Sequence, residues 1–209
     1  MSHSCSQNLH FDLDRGKSQF LRLLGLWLIP VITMAQSVTF NSERITIRIE
    51  EQQVRVRGQY YLENHGTTTT TQTLHYPFAL QEAGLQFPHT ISVMELDTQT
   101  PLPFNRTANA IVFPVTISPT REFGFQVDFT QSISRSSFTY ILTTTQSWHR
   151  PLEQAEFVVI MAPALKLTGM SLPYDYEQIQ PDGRHRYLIT RVNFMPDENL
   201  VITWEGELP

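Results

Sequence analysis

Apolar and polar residues alternate through most of the chain with a period of two. From Arg44 to Glu50, Ile45, Ile47 and Ile49 alternate with Arg44, Thr46 and Arg48, the pattern of a strand with one buried face. After the polar turn Glu50-Glu51-Gln52-Gln53, Val54, Val56, Tyr60 and Leu62 point one way and Arg55, Arg57, Gln59 and Tyr61 the other. The two runs predict a β-hairpin. If its loop centres on Glu51 and Gln52, Ile49 faces Val54 and Ile47 faces Val56, while on the other face Arg48 meets Arg55 and Thr46 meets Arg57.

The same grammar continues beyond the hairpin. Asn64-His65-Gly66 is a turn signal, and the threonine run Thr67 to Thr71 suits a pleated, partly exposed strand. Tyr76-Pro77-Phe78 ends that strand, because proline has no N–H to give to a ladder. Ile91 to Leu96 and Ala110 to Ile117 follow, and Arg121 to Ile133 gives the cleanest alternation: Phe123, Phe125, Val127, Phe129 and Ile133 share one parity. Ser137 to Thr143 is read as its hairpin partner. Phe157 to Met161 is continuously apolar, as expected of a strand covered on both faces. Leu167 to Leu172, Arg186 to Val192 and Leu200 to Trp204 are further strands, with turns at Pro181-Asp182-Gly183 and Pro196-Asp197. Many short strands at this spacing predict an all-β, antiparallel β-sandwich, immunoglobulin-like in general architecture. The expected organisation is one sandwich over residues 36–209, the alternative being two small β lobes meeting near 118–120.

The first 35 residues obey different rules. Arg15, Lys17 and Arg22 precede an apolar run from Leu23 to Met34, which ends in Ala35 before Gln36. This succession predicts a signal peptide over 1–35, cleaved near Ala35, and hence a periplasmic or extracellular protein. The run is about half the roughly 20 residues a spanning helix needs, and no second one follows, so no integral span is expected in the mature chain. The only cysteine, Cys5, lies ahead of the apolar run, where it cannot be a lipoprotein's lipid-bearing residue. A mature domain of this size without disulfides points to a bacterial envelope rather than a eukaryotic secreted module.

Loss of the leader leaves 12 basic and 18 acidic residues, all but Lys166 of the basic ones being arginine. A net negative charge argues against nucleic-acid binding, which needs a dominant basic field. Of the mature histidines His65, His75, His89, His149 and His185, none are paired at zinc-ligand spacing, so no metal or other cofactor is expected. No serine sits in a glycine-flanked nucleophile turn. The carboxylate pairs Glu50/Glu51 and Glu153/Glu156 read as solvated strand ends, although paired carboxyl groups can serve glycoside cleavage. An enzyme is therefore not expected, except through a site assembled from distant strands.

Two surfaces remain as candidate binding sites. Arg48, Arg55 and Arg57, with Tyr61 on the same parity, form a cationic face that could meet an anionic envelope polymer or glycan, a lipid headgroup or an envelope protein, since arginine's planar fork binds carboxylate and phosphate. Trp148 and Arg150, in Trp148-His149-Arg150-Pro151, could stack and hydrogen-bond a sugar; alternatively Trp148 closes one end of the core.

Tyr60-Tyr61-Leu62-Glu63-Asn64-His65-Gly66, the strand ending in Tyr76-Pro77-Phe78, and Tyr140-Ile141-Leu142-Thr143-Thr144 followed by Trp148, Ala155 and Phe157 together resemble an exported bacterial family of signal-bearing β-sandwich proteins of unknown function. The resemblance implies a fold and a compartment. The functional expectation is a non-catalytic binding or structural protein of the bacterial envelope, with a carbohydrate-binding module as the first alternative and a dispersed-site enzyme as the second.

Overall fold

The structure is a computed structural model that describes residues 37–80 and 86–206; the leader lies outside the described residues. Thirteen strands account for nearly all regular structure. They are β1 (Val38–Ile49), β2 (Gln53–Asn64), β3 (Thr70–Pro77), β4 (Thr90–Glu95), β5 (Asn105–Arg106), β6 (Ala110–Ile117), β7 (Glu122–Ser132), β8 (Ser137–Tyr140), β9 (Leu152–Met161), β10 (Lys166–Met170), β11 (Tyr176–Ile179), β12 (His185–Phe194) and β13 (Leu200–Glu205). A seven-stranded sheet, β11-β12-β9-β1-β2-β7-β4, forms one layer. Two three-stranded sheets, β10-β13-β8 and β3-β6-β5, pack against it. Every pairing is antiparallel except that of β1 with β9.

Parity places the core as the alternation predicts. Ile45, Ile47 and Ile49 of β1, Val54, Val56, Tyr60 and Leu62 of β2, and Phe123, Phe125, Val127 and Phe129 of β7 are all buried. The β1–β2 register sets Ile49 against Val54, Ile47 against Val56, Arg48 against Arg55 and Thr46 against Arg57. Strand β9 lies between β1 and β12, and its Phe157 to Met161 run is buried on both parities. One apolar core joins residues from both sides of Ser118-Pro119.

Three elements differ from the sequence expectation. β8 does not pair with β7; it pairs with β13 in the other layer, while β7 lies between β2 and β4. Adjacent apolar alternations specify buried faces but not partners, and here the Ser134–Ser136 link takes the chain across the core. The expected Ser137 to Thr143 strand ends at Tyr140, and Thr143–Trp148 forms a 3-10 helix. Its amino end is closed by a residue distant in sequence: Asn199 Oδ1 accepts from the Leu142 N–H at 3.0 Å, the Thr143 N–H at 3.3 Å and the Thr143 hydroxyl at 3.1 Å. Finally, β1 begins at Val38 rather than Arg44, with a register shift between Phe40 and Ser42. That bulge brings Phe40 onto the inner face together with Glu43.

Candidate functional site

The two small sheets are not joined by a ladder, so the layer opposite the large sheet is divided by a seam between β3 and β8. Beneath the seam lies a cavity of about 270 Å³. Its floor comes from the large sheet, with Glu43, Tyr60, Leu62 and Phe125; Phe113, Leu74 and Tyr76 come from one small sheet. Tyr140, Thr145 and Trp148 close the other side. Thr73, His75, Thr144 and Ser147, all exposed, form a polar rim.

Three tyrosines from three sheets meet inside. The Tyr60 hydroxyl lies 2.6 Å from that of Tyr140 and donates to that of Tyr76 at 2.9 Å, and the Tyr76 and Tyr140 hydroxyls are 3.2 Å apart. Gly58 makes this convergence geometrically feasible. A Cβ at Gly58 would stand 2.1 Å from the Tyr60 hydroxyl oxygen, so the ring lies back along its own strand only because no side chain occupies that place. Phe125 stacks on Tyr60 with centroids 4.9 Å apart, and Phe40 leans against Tyr60 and Trp148 at 6.2 and 5.9 Å. Burial raises all three hydroxyls above the ordinary tyrosine range, Tyr76 to about 12.

Glu43 is the unusual member. It pairs with Tyr60 across β1–β2 and with Ala155 across β1–β9, and is only 6% exposed. Its Oε1 is fully buried and finds no hydrogen-bond partner among the described residues. Burial raises its pKa to about 8, so the carboxyl is mostly protonated at neutral pH. Among the described residues no lysine or arginine lines the cavity. Glu43 continues the odd parity of Ile45, Ile47 and Ile49, and that is the signal by which extending the alternation one step toward the amino terminus finds it.

The residues singled out from sequence divide between this cavity and the outer face. Trp148 lines the cavity wall and packs on the core. Arg150 is exposed, 3.8 Å from Glu153, and does not line the cavity, so the two do not form one sugar-binding pair. Arg48, Arg55 and Arg57 come together along an outer-face groove of about 810 Å³ that also includes Arg184, Glu50 and Asp128. Arg57 donates to Asp128 at 2.7 Å, and Glu50 accepts from Arg184 at 3.1 Å. Arg48 and Arg55 have no ion pair among the described residues. In the sheet register, Arg186, Ile160, Arg48 and Arg55 lie in one row. Tyr61 points to the same face farther along β2, beside Gly124, outside the groove. Glu153 and Glu156 serve ion pairs with Arg150 and Arg44 and line neither the cavity nor the outer groove. Among the described residues no cluster of three metal-ligating side chains occurs, and no helix is long and apolar enough to cross a membrane.

No protein-family model matches the chain, and no curated protein matches it by sequence. Solved structures do match its fold. A Legionella pneumophila protein described as a candidate nutrient binding protein superposes with a TM-score of 0.64 at 12% identity, over 81% of this chain and 67% of that one. An M1 zinc metallopeptidase from Deinococcus radiodurans, bound to a Tyr-Ser-Ala substrate, superposes with a TM-score of 0.53 at 7% identity. That match covers 80% of this chain and 42% of the peptidase, so this chain spans less than half the peptidase's length. Such likenesses show that this arrangement of packed β-sheets recurs in other proteins, and at these identities they show the fold alone.

Proposed function

We propose that this chain is an exported, non-catalytic binding protein of the bacterial envelope, and that the cavity beneath the β3–β8 seam holds a small-molecule ligand. The observation that carries the reading is Glu43, a carboxyl turned into an aromatic cavity with one oxygen unpartnered. Leaving a buried polar group unsatisfied costs about 1 to 3 kcal/mol, and a ligand that draws the carboxyl round to face the open space recovers that cost. The volume is a little below the roughly 300 to 1,000 Å³ of drug-sized sites, which selects a small molecule over a polymer. Binding rather than catalysis is favoured because the hydroxyls beside Glu43 are held above the ordinary tyrosine range and the histidine of the lining, His75, stands apart at the exposed rim. The leader sequence supports export, and the description of the Legionella neighbour supports a binding role. A module for polymeric glycans would want an exposed aromatic platform, whereas Trp148 is tilted against Phe40 within a cavity. The outer arginines are a weaker basis, since exposed cations solvated by water need no partner.

The test is a ligand-observed NMR screen of water-soluble small molecules against the secreted protein and a Ser147→Trp variant, which plugs the rim from an exposed position. Ligands that bind the wild type and are lost in the equally stable variant are expected. If every ligand found binds both proteins alike, the cavity is not the site.

A further inference from the structure

We infer that the ligand of this cavity is an organic ammonium ion, its charge set against the Glu43 carboxylate and its carbon atoms enclosed by the rings of Phe40, Tyr60, Phe125 and Trp148; this rests on the binding role proposed above. The argument is an inventory of donors and acceptors. Three hydroxyls in mutual contact can pass their protons around a ring, Tyr60 to Tyr76 to Tyr140 and back, consistent with the contacts of 2.6 to 3.2 Å. All three protons are then committed, while each oxygen keeps a lone pair. Glu43 carries one O–H donor while protonated and adds acceptors only once ionised, and the ring faces present the negative side of their quadrupoles. The donors of the lining sit mainly at the Thr73, His75, Thr144 and Ser147 rim, so the interior around an ionised Glu43 and the ring faces suits a cation, with or without N–H donors of its own.

Phe125 lies behind Tyr60, stacked on it at 21°, and the other rings are inclined to one another. The Phe40 ring is inclined 45° to Tyr60 and 54° to Trp148, so the rings form walls at different angles, the arrangement by which aromatic cages hold ammonium groups. No resident lysine or arginine occupies the position. Of the elements around Glu43, β2, β3 and β8 contribute Tyr60, Tyr76 and Tyr140, β9 contributes Ala155, and β7 contributes Phe125. The 3-10 helix contributes Thr144, Thr145, Ser147 and Trp148, and His75 stands at the exposed rim. Glu43 is thus the carboxyl that changes charge when a cation enters. Below its pKa, binding expels one proton to solvent, and the incoming ammonium replaces that proton as the positive partner of the carboxylate.

The experiment is calorimetric titration of the mature protein and its Glu43→Gln variant at pH 6.5. Two ammonium probes, choline and benzylamine, are compared with their neutral isosteres 3,3-dimethylbutan-1-ol and benzyl alcohol, and proton release is followed with an indicator dye in lightly buffered solution. The expected result is that at least one ammonium binds about tenfold or more tightly than its isostere, releases close to one proton, and loses that preference in the variant. Isosteres that bind as tightly as the cations, and are lost on plugging the rim, would overturn the ammonium assignment while leaving a ligand cavity. An ammonium preference undiminished in Glu43→Gln would overturn the role of the carboxylate. Absence of binding by all four probes would also defeat the assignment, and the cavity itself would then stand or fall on the small-molecule screen.

Discussion

The two faces of the β1–β2 hairpin present the same electrostatic problem in opposite solvents. Outside, Arg48 stands directly across from Arg55, two like charges in water, where screening and hydration reduce the cost to about 1 kcal/mol or less. Inside, Glu43 stands across from Tyr60 with no counter-charge, and the protein's response is to keep its proton. Water tolerates an unfavourable charge by solvating it, whereas a core removes the charge or finds it a partner. An uncompensated ionisable group therefore says little on the outer face and much more on the inner one.

Removing the shared aromatic floor should break this contrast most severely. Phe125 stacks on Tyr60 and meets Phe113 edge-on at 5.5 Å. We expect Phe125→Ala to destabilise the domain by about 3 to 5 kcal/mol in urea titrations, and a loss below about 1 kcal/mol would show that the inner face is not packed as described.

Glu43 itself should make stability depend on pH. Its folded pKa, about 8, lies above the ordinary value of 4.5, so the folded protein holds a proton that the unfolded chain releases. The contribution is fully present below pH 4.5 and is lost as pH rises through 8, at about 1.4 kcal/mol per unit in between. Glu43→Gln should flatten the stability profile between pH 5 and 8, and parallel profiles for the two proteins would mean the carboxyl is not held neutral. The smallest effect belongs to the outer face. Arg55→Glu, which turns the pair with Arg48 into an attractive one, should stabilise by about 0.2 to 1 kcal/mol at low salt, with the gain fading at 1 M salt as the charges are screened. A gain that persists in high salt would point to packing rather than charge.

How far the sequence foretold this structure depends on which interactions are local. The hairpin register was legible because a four-residue polar turn and strict alternation leave one pairing that keeps Ile45, Ile47 and Ile49 inside. The partner of β8 was not, since parity is indifferent to which layer a strand joins. The 3-10 helix was hidden because the group that caps it, Asn199, lies over 50 residues away. Of the cavity, only Trp148 was singled out in advance. Glu43 shares the core parity of Ile45, but a charged residue at the end of an alternating run reads as its polar boundary, and the tyrosine cluster was invisible because Tyr60, Tyr76 and Tyr140 come from three separate sheets.

The seam between β3 and β8 also bears on how a molecule reaches the cavity. Most of the layer is fastened by backbone ladders, but among the described residues the only hydrogen bond between its two halves is the 3.2 Å contact of Tyr76 with Tyr140. The halves can therefore part by exchanging a single hydroxyl contact and some side-chain packing, with every ladder intact. Passage inward then needs a side-chain fluctuation rather than local unfolding. If the cavity binds a ligand as proposed, Tyr76 and Tyr140 would act as a latch, and replacing either by phenylalanine is expected to change the rate of exchange more than the shape of the space behind it.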